Sequence, residues 1–217
     1  MKKGLALLAA ASVAALAAPA AAQNENTFTG PRVEALVGYD SSEPGSTVDI
    51  PNVDESFDGV NYGAGIGYDF DMGGAVVGVE AEYMESDAKT GDFDTSGFAT
   101  YGIANVEAGR DIYVGARAGF KVGPNSLVYA KGGYTNAKYN VLATDNTTDT
   151  QTNLKVDGWR VGAGAEVALN NNLFVKGEYR YSNYAGGEIE SPTGLESDNF
   201  DVDLDRHQFV VGLGARF

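Results

Sequence analysis

His207 is the single histidine of this 217-residue chain, and there is no cysteine. Catalysis by a nucleophile–base pair, or binding of a transition metal, would therefore rest on one imidazole and on carboxylates. Carboxylates are abundant. Asp201, Asp203 and Asp205 alternate in "DVDLDR", and Asp92 and Asp94 open "DFDTSG". A helix–loop–helix calcium loop needs glycine at its sixth position and a bidentate glutamate at its twelfth. Counted from Asp201, those positions hold Arg206 and Gly212; counted from Asp92, they hold Gly97 and Ile103. Neither run qualifies. The Asp201–Asp203–Asp205 run reads first as a solvated acidic rim, and second as a place where divalent cations are shared with lipid headgroups. "GAGIG" at 63–67 has the glycines of a phosphate loop without the strand–turn–helix that such a loop requires. No catalytic residue, metal site or cofactor is expected.

A different set of charges has a spacing with meaning. Glu34, Glu80, Glu82, Glu166 and Glu178 stand among Arg117, Lys131, Arg160, Lys176 and Arg180, and along the chain they alternate with glycines. Their signs balance. Charges confined in a small space must pair, because an unpaired buried charge is costly. Glycines leave room for long side chains, and each one weakens a strand, so a solvent-facing surface has no use for so many. The chemistry implied is mutual neutralisation in an interior, not turnover.

The elements that hold these residues are strands. Helical periodicity is missing, and period-2 alternation recurs in eight stretches: roughly 32–40, 58–70, 74–87, 108–122, 126–141, 155–169, 172–185 and 202–217. Tight turns are expected at "DMGG", "VGPN" and "NNN", where Gly, Pro and Asn supply the required backbone angles. The other connections, about 41–57, 88–107, 142–154 and 186–201, are long and acidic. Short and long connections alternate, so the long loops share one end of an up-and-down sheet. In 111–121, Ile112, Val114, Ala116, Ala118 and Phe120 oppose Asp111, Tyr113, Gly115, Arg117, Gly119 and Lys121. The other strands sort likewise.

Alternation alone leaves two barrels open: a soluble one with the apolar face inside, and a membrane one with it outside. Aromatics on the apolar face decide for the second. Tyr134, Trp159, Tyr179 and Tyr181 lie toward the loops, and Tyr68, Phe70 and Phe120 toward the turns. Two such girdles match the two interfaces of a bilayer. The expectation is an all-β, eight-stranded antiparallel up-and-down transmembrane barrel, with the ten charges above forming a lumen ion-pair network.

The chain opens with "MKKGLALLAAASVAALAAPAAAQ", which has two lysines, an apolar stretch too short to span a membrane, and small residues before Gln23. This pattern is a secretory signal peptide over 1–22, followed by a short periplasmic segment over 23–31 and the barrel over 32–217. A formal charge of −15, falling to −17 once Lys2 and Lys3 are removed, argues against nucleic acid as a partner.

The phrases "GWRVGAGAEVAL", "FVKGEYRYSNY" and "FDVDLDRHQFVVGLGARF" resemble the small eight-stranded outer-membrane barrels of Gram-negative bacteria, of the OmpA-transmembrane-domain, opacity-protein and porin-family type. The resemblance implies an outer-membrane location and, in Phe209, Val211, Leu213, Ala215 and Phe217, the C-terminal signal read by the outer-membrane assembly machinery. The family pattern favours a larger residue than Ala215. It further implies a structural or surface-interaction role, with outer-membrane lipid as a partner, acidic loops free to meet host or surface ligands, and a monomer. A narrow porin-like channel is the alternative, and a soluble periplasmic ligand-binding barrel a third reading. The peptidoglycan-binding domain that often follows OmpA-type barrels is not implied. Lipid A deacylases of this size carry Ser two residues from His; Phe209 stands there, so an enzyme is not expected.

Overall fold

The computed structural model describes residues 28–44, 57–87, 102–144, 149–190 and 200–217. The leader, the 92–97 run and the side chains of Asp201 and Asp203 lie outside the described residues. Eight antiparallel strands follow in chain order: β1 (Gly30–Pro44), β2 (Phe57–Asp71), β3 (Ala75–Ser86), β4 (Gly102–Lys121), β5 (Ser126–Thr144), β6 (Asp149–Ala168), β7 (Leu173–Glu190) and β8 (Phe200–Arg216). Each pairs with its neighbours, and β1 pairs with β8, closing the barrel. Closure removes the edge strands whose unpaired ladder groups would otherwise face hydrocarbon.

The turns obey local chemistry. Gly73 and Gly123 have positive φ in the β2–β3 and β4–β5 turns. In the β6–β7 turn, Asn170 Oδ1 accepts from the amides of Asn172 and Leu173 at 2.9 and 2.8 Å, so an asparagine side chain does there what glycine does in the others. At the far end the strands run past their expected limits. β5 and β6 stay in register to Thr144↔Asp149, and β4 reaches back to Gly102. The β6 extension, "DTQTNL", is mostly polar, which hides strand periodicity from a hydrophobicity reading.

β1 starts two residues before the alternation becomes visible. Gly30 adopts φ +126°, and a Cβ there would meet the Phe217 carbonyl at 2.0 Å, so the chain enters the barrel at a point only glycine fits. The turn carries Phe28 into the turn-side mouth. There it is fully buried beside Val76, Leu127 and Tyr129. Residues 28–31 thus belong to the barrel rather than to a separate periplasmic segment.

Candidate functional site: the charged lumen

The parity of the strands decides what is inside. Ile66, Val79, Val114, Phe120, Phe209, Val211 and Leu213 are exposed on the outer surface. Glu34, Glu80, Glu82, Arg117, Lys131, Arg160, Glu166, Lys176, Glu178 and Arg180 are buried in the lumen, and the structure brings all ten together. Arg32, Asp40, Asp69, Asp111, Arg206 and Arg216, outside the ten named for the network, join them. Among the described residues the lumen therefore holds eight carboxylates and eight cations, formally neutral.

The pairs form three connected tiers. At the turn side, Asp69 accepts from three guanidinium groups: Arg32 at 3.0 Å, Arg117 at 2.6 Å and Arg216 at 2.8 Å. Glu166 takes the other arms of Arg117 and Arg216 at 3.0 and 2.8 Å. Arg32 also bonds Glu34 at 2.8 Å and Glu80, linking this tier to the next. In the middle tier, Lys131 contacts Glu80, Glu82 and Glu178 at 2.7, 2.8 and 2.9 Å, while Lys176 takes Glu34 at 2.9 Å and Arg180 takes Glu82 at 2.9 Å. Toward the loops, Arg206 pairs with Asp40 and, at 2.8 Å, with Asp111, which also holds Arg160. Tyr113 joins the last two tiers, its ring lying 4.5 Å from Lys131 Nζ and 5.4 Å from the Arg160 guanidinium. That ring lies over Gly115, where a Cβ would meet Tyr113 Oη at 2.1 Å.

Oxygens of Glu34, Glu80 and Glu82 converge within 4.8 Å of one another, close enough to hold a cation. The charge a metal ion would bring is supplied there by Lys131, Lys176, Arg32 and Arg180. The chemistry of this cluster is ion pairing. Apolar layers bracket it. Phe28, Val76, Leu127 and Tyr129 close the turn side, with Arg216 stacked between Phe28 and Phe174. Ala137, Tyr139, Val156 and Tyr184 pack toward the loops.

The residues read as girdles point outward. Tyr68, Phe70 and Phe120 are exposed near the turns, and Tyr134, Trp159 and Tyr179 near the loops, with Tyr181 half-buried beside Trp159. On β8 the proposed assembly residues Phe209, Val211 and Leu213 are exposed, and Ala215 and Phe217 partly so. Eight residue steps separate the two phenylalanines, about 27 Å along a strand and about 20 Å along the normal at a typical tilt. That approaches the ~25 Å apolar band of an outer-membrane barrel. Of the acidic rim, Asp205 faces outward and accepts from Tyr181 and Asn183 at 2.6 and 3.0 Å. His207, also outward, shares a 2.7 Å hydrogen bond with Tyr179.

A closed sheet that is apolar outside, charged and filled inside, and ringed by aromatics is a membrane-spanning β-barrel. Comparison with known proteins says which. A family profile described as "Outer membrane protein beta-barrel domain" matches residues 6–217. The chain belongs to that family, and it is an outer-membrane protein. A 22 kDa outer membrane protein of Rhizobium leguminosarum bv. viciae is 32% identical over 152 residues, 70% of this chain and 63% of that protein. A 31 kDa outer-membrane immunogenic protein of Brucella melitensis is 27% identical over 160 residues, 71% of this chain and 65% of that one. The chain thus spans less than two thirds of the length of these relatives. Among solved structures, OprG of Pseudomonas aeruginosa aligns with a TM-score of 0.51 at 13% identity, covering 90% of this chain and 99% of that one. Neisserial surface protein A aligns at 0.50 and 12%, covering 87% and 98%. These two share the fold. The soluble-barrel reading is set aside, since the apolar parity faces out.

Proposed function

We propose that the protein is a closed structural barrel that anchors acidic loops at the cell surface, and that it does not conduct. The observation that carries this is the lumen: three tiers of ion pairs bracketed by apolar layers leave the side chains packed against one another along the axis. Diffusion pores need about 16–18 strands to leave water between such walls. Because the described lumen charges balance, they do not account for the acidic excess of the chain. Surface loops with that charge suit contact with cationic groups on hosts or neighbouring cells. The name of the Brucella relative, an immunogenic protein, agrees with loops that are reached from outside. The reading includes no catalytic step and treats the barrel as a monomer in lipid.

Single-channel recording on refolded protein in planar bilayers tests it. No discrete conductance steps are expected; reproducible steps would revive the narrow-channel alternative.

The β8 residues Phe209, Val211, Leu213, Ala215 and Phe217 are proposed to act as the assembly signal. Phe217→Ala should lower the folded, heat-modifiable fraction in cells severalfold, while refolding into detergent in vitro proceeds as in the wild type. An equal loss in both settings would mark Phe217 as a stability residue instead.

A further inference from the structure

The outer surface is not uniform. Across the β7–β8–β1 seam the register sets four rows, each one residue pair nearer the loops: Gly177–Val211–Val37, Tyr179–Phe209–Tyr39, Tyr181–His207–Ser41 and Asn183–Asp205–Glu43. The lower two rows enclose a shallow groove lined by Val37, Tyr39, Gly177, Tyr179, Phe209 and Val211. Its floor is Gly177, where a Cβ would meet nothing within 4 Å. This glycine faces outward, so it clears no room for a lumen side chain. The upper rows turn polar. Tyr179 bonds His207, the rings of Tyr181 and His207 lie 5.2 Å apart, and Tyr181 and Asn183 both donate to Oδ1 of Asp205. Both donors use the same oxygen, so among the described residues Oδ2 has lone pairs open to another donor.

We propose that this seam seats one membrane lipid: an acyl chain in the groove over Gly177, and a headgroup bearing hydrogen-bond donors against Asp205. The order of chemistry along the seam, aliphatic, aromatic, imidazole, carboxylate, is that of an amphiphile from chain to headgroup. The groove is continuous with the outward face that already meets lipid. Within a bilayer there is no hydrophobic drive between apolar surfaces, so residence depends on packing contact and on polar contacts at the interface. A groove supplies the first and Asp205 the second. The carboxylate selects an amine or hydroxyl donor and repels a bare phosphate.

The test uses the full barrel refolded in vesicles of equal parts phosphatidylethanolamine and phosphatidylcholine with matched chains. It is then transferred to a mild detergent and weighed by native mass spectrometry. One retained phosphatidylethanolamine per barrel is expected, favoured severalfold over phosphatidylcholine, which has no donor. Gly177→Leu fills the groove into open space, so the barrel should fold and lose the lipid about threefold or more. Ala116→Leu, outward on β4, should retain it. Asp205→Asn should keep a lipid but lose the headgroup preference. Equal retention of both lipids by the wild type, or retention unchanged by Gly177→Leu, would overturn the proposal. So would a dimer that Gly177→Leu breaks, because the groove would then hold a second copy. None of these outcomes depends on whether the lumen conducts.

Discussion

Asp69→Asn is expected to destabilise the barrel by about 3–5 kcal/mol, the cost of removing one partner from a buried ion pair. Asp69 is fully buried, and its two oxygens receive Arg32, Arg117 and Arg216. The amide keeps the shape and one acceptor oxygen, but it turns hydrogen-bond donors toward guanidinium groups and leaves the lumen with eight cations against seven carboxylates. Glu166 is already paired with Arg117 and Arg216, so its charge is shared between them before the substitution. The measurement is urea unfolding of the refolded protein in lipid vesicles, followed through the fluorescence of Trp159, the only tryptophan. A second variant separates charge from packing. In Asp69→Asn with Arg216→Met, a cation is removed with its anion, and the double variant should recover part of the loss, a coupling that neighbours in one network show and independent sites do not. A cost below about 1 kcal/mol for Asp69→Asn, the range of a solvent-screened pair, would mean that water reaches this tier and that the lumen is open at the turn side.

That tier is also where the sequence misleads. Alternation and sign balance were enough to place ten lumen charges, because most of those residues share a parity with glycines on their own strand. Of the six others, Arg32, Asp40, Asp69 and Arg216 sit near the ends of their strands, whereas Asp111 lies in the middle of β4 and Arg206 well inside β8. Arg32 follows Pro31, Arg216 precedes the final residue, and Arg206 ends an acidic run that reads as a solvated rim. Barrel strands tilt, so the end of one strand lies beside the middle of another. An arginine also carries its charge far from its own Cα. Arg206 therefore reaches Asp40 and Asp111 on strands it does not adjoin in sequence. Register, which a single sequence does not print, decides these contacts. The apolar members of the lumen were hidden for a related reason. Tyr113 falls on the parity of Arg117, yet periodicity alone gives no hint that it would lie flat over Gly115 between two cations. The outward assignments were legible from the girdles, since Tyr68 and Phe70 on β2 or Phe120 on β4 gain nothing from exposure to water.

Those outward assignments carry the second large effect. Ile66→Arg should cost about 2–4 kcal/mol, the range for a basic side chain on the lipid face at the bilayer midplane. Ile66 lies four residues from Tyr62 and four from Phe70, midway between the two interfaces along β2, and 61% of it is exposed on the outer surface. Exposure to water predicts a different result. On a barrel in water, an exposed isoleucine replaced by arginine would change stability by no more than about 0.5 kcal/mol and would improve solubility. Here the guanidinium must be dragged toward an interface or must thin the lipid around it. Ile66→Leu keeps the apolar area and should fall within about 1 kcal/mol of wild type, which removes side-chain shape as the cause. The same urea titration in vesicles reads all three proteins. The comparison also isolates parity: Gly65, one residue away, faces the lumen, where an added Cβ would meet Glu34 Oε1 at 2.7 Å. A one-residue step thus exchanges a hydrocarbon environment for a carboxylate, and the sign of the Ile66→Arg effect states which of the two surrounds this position.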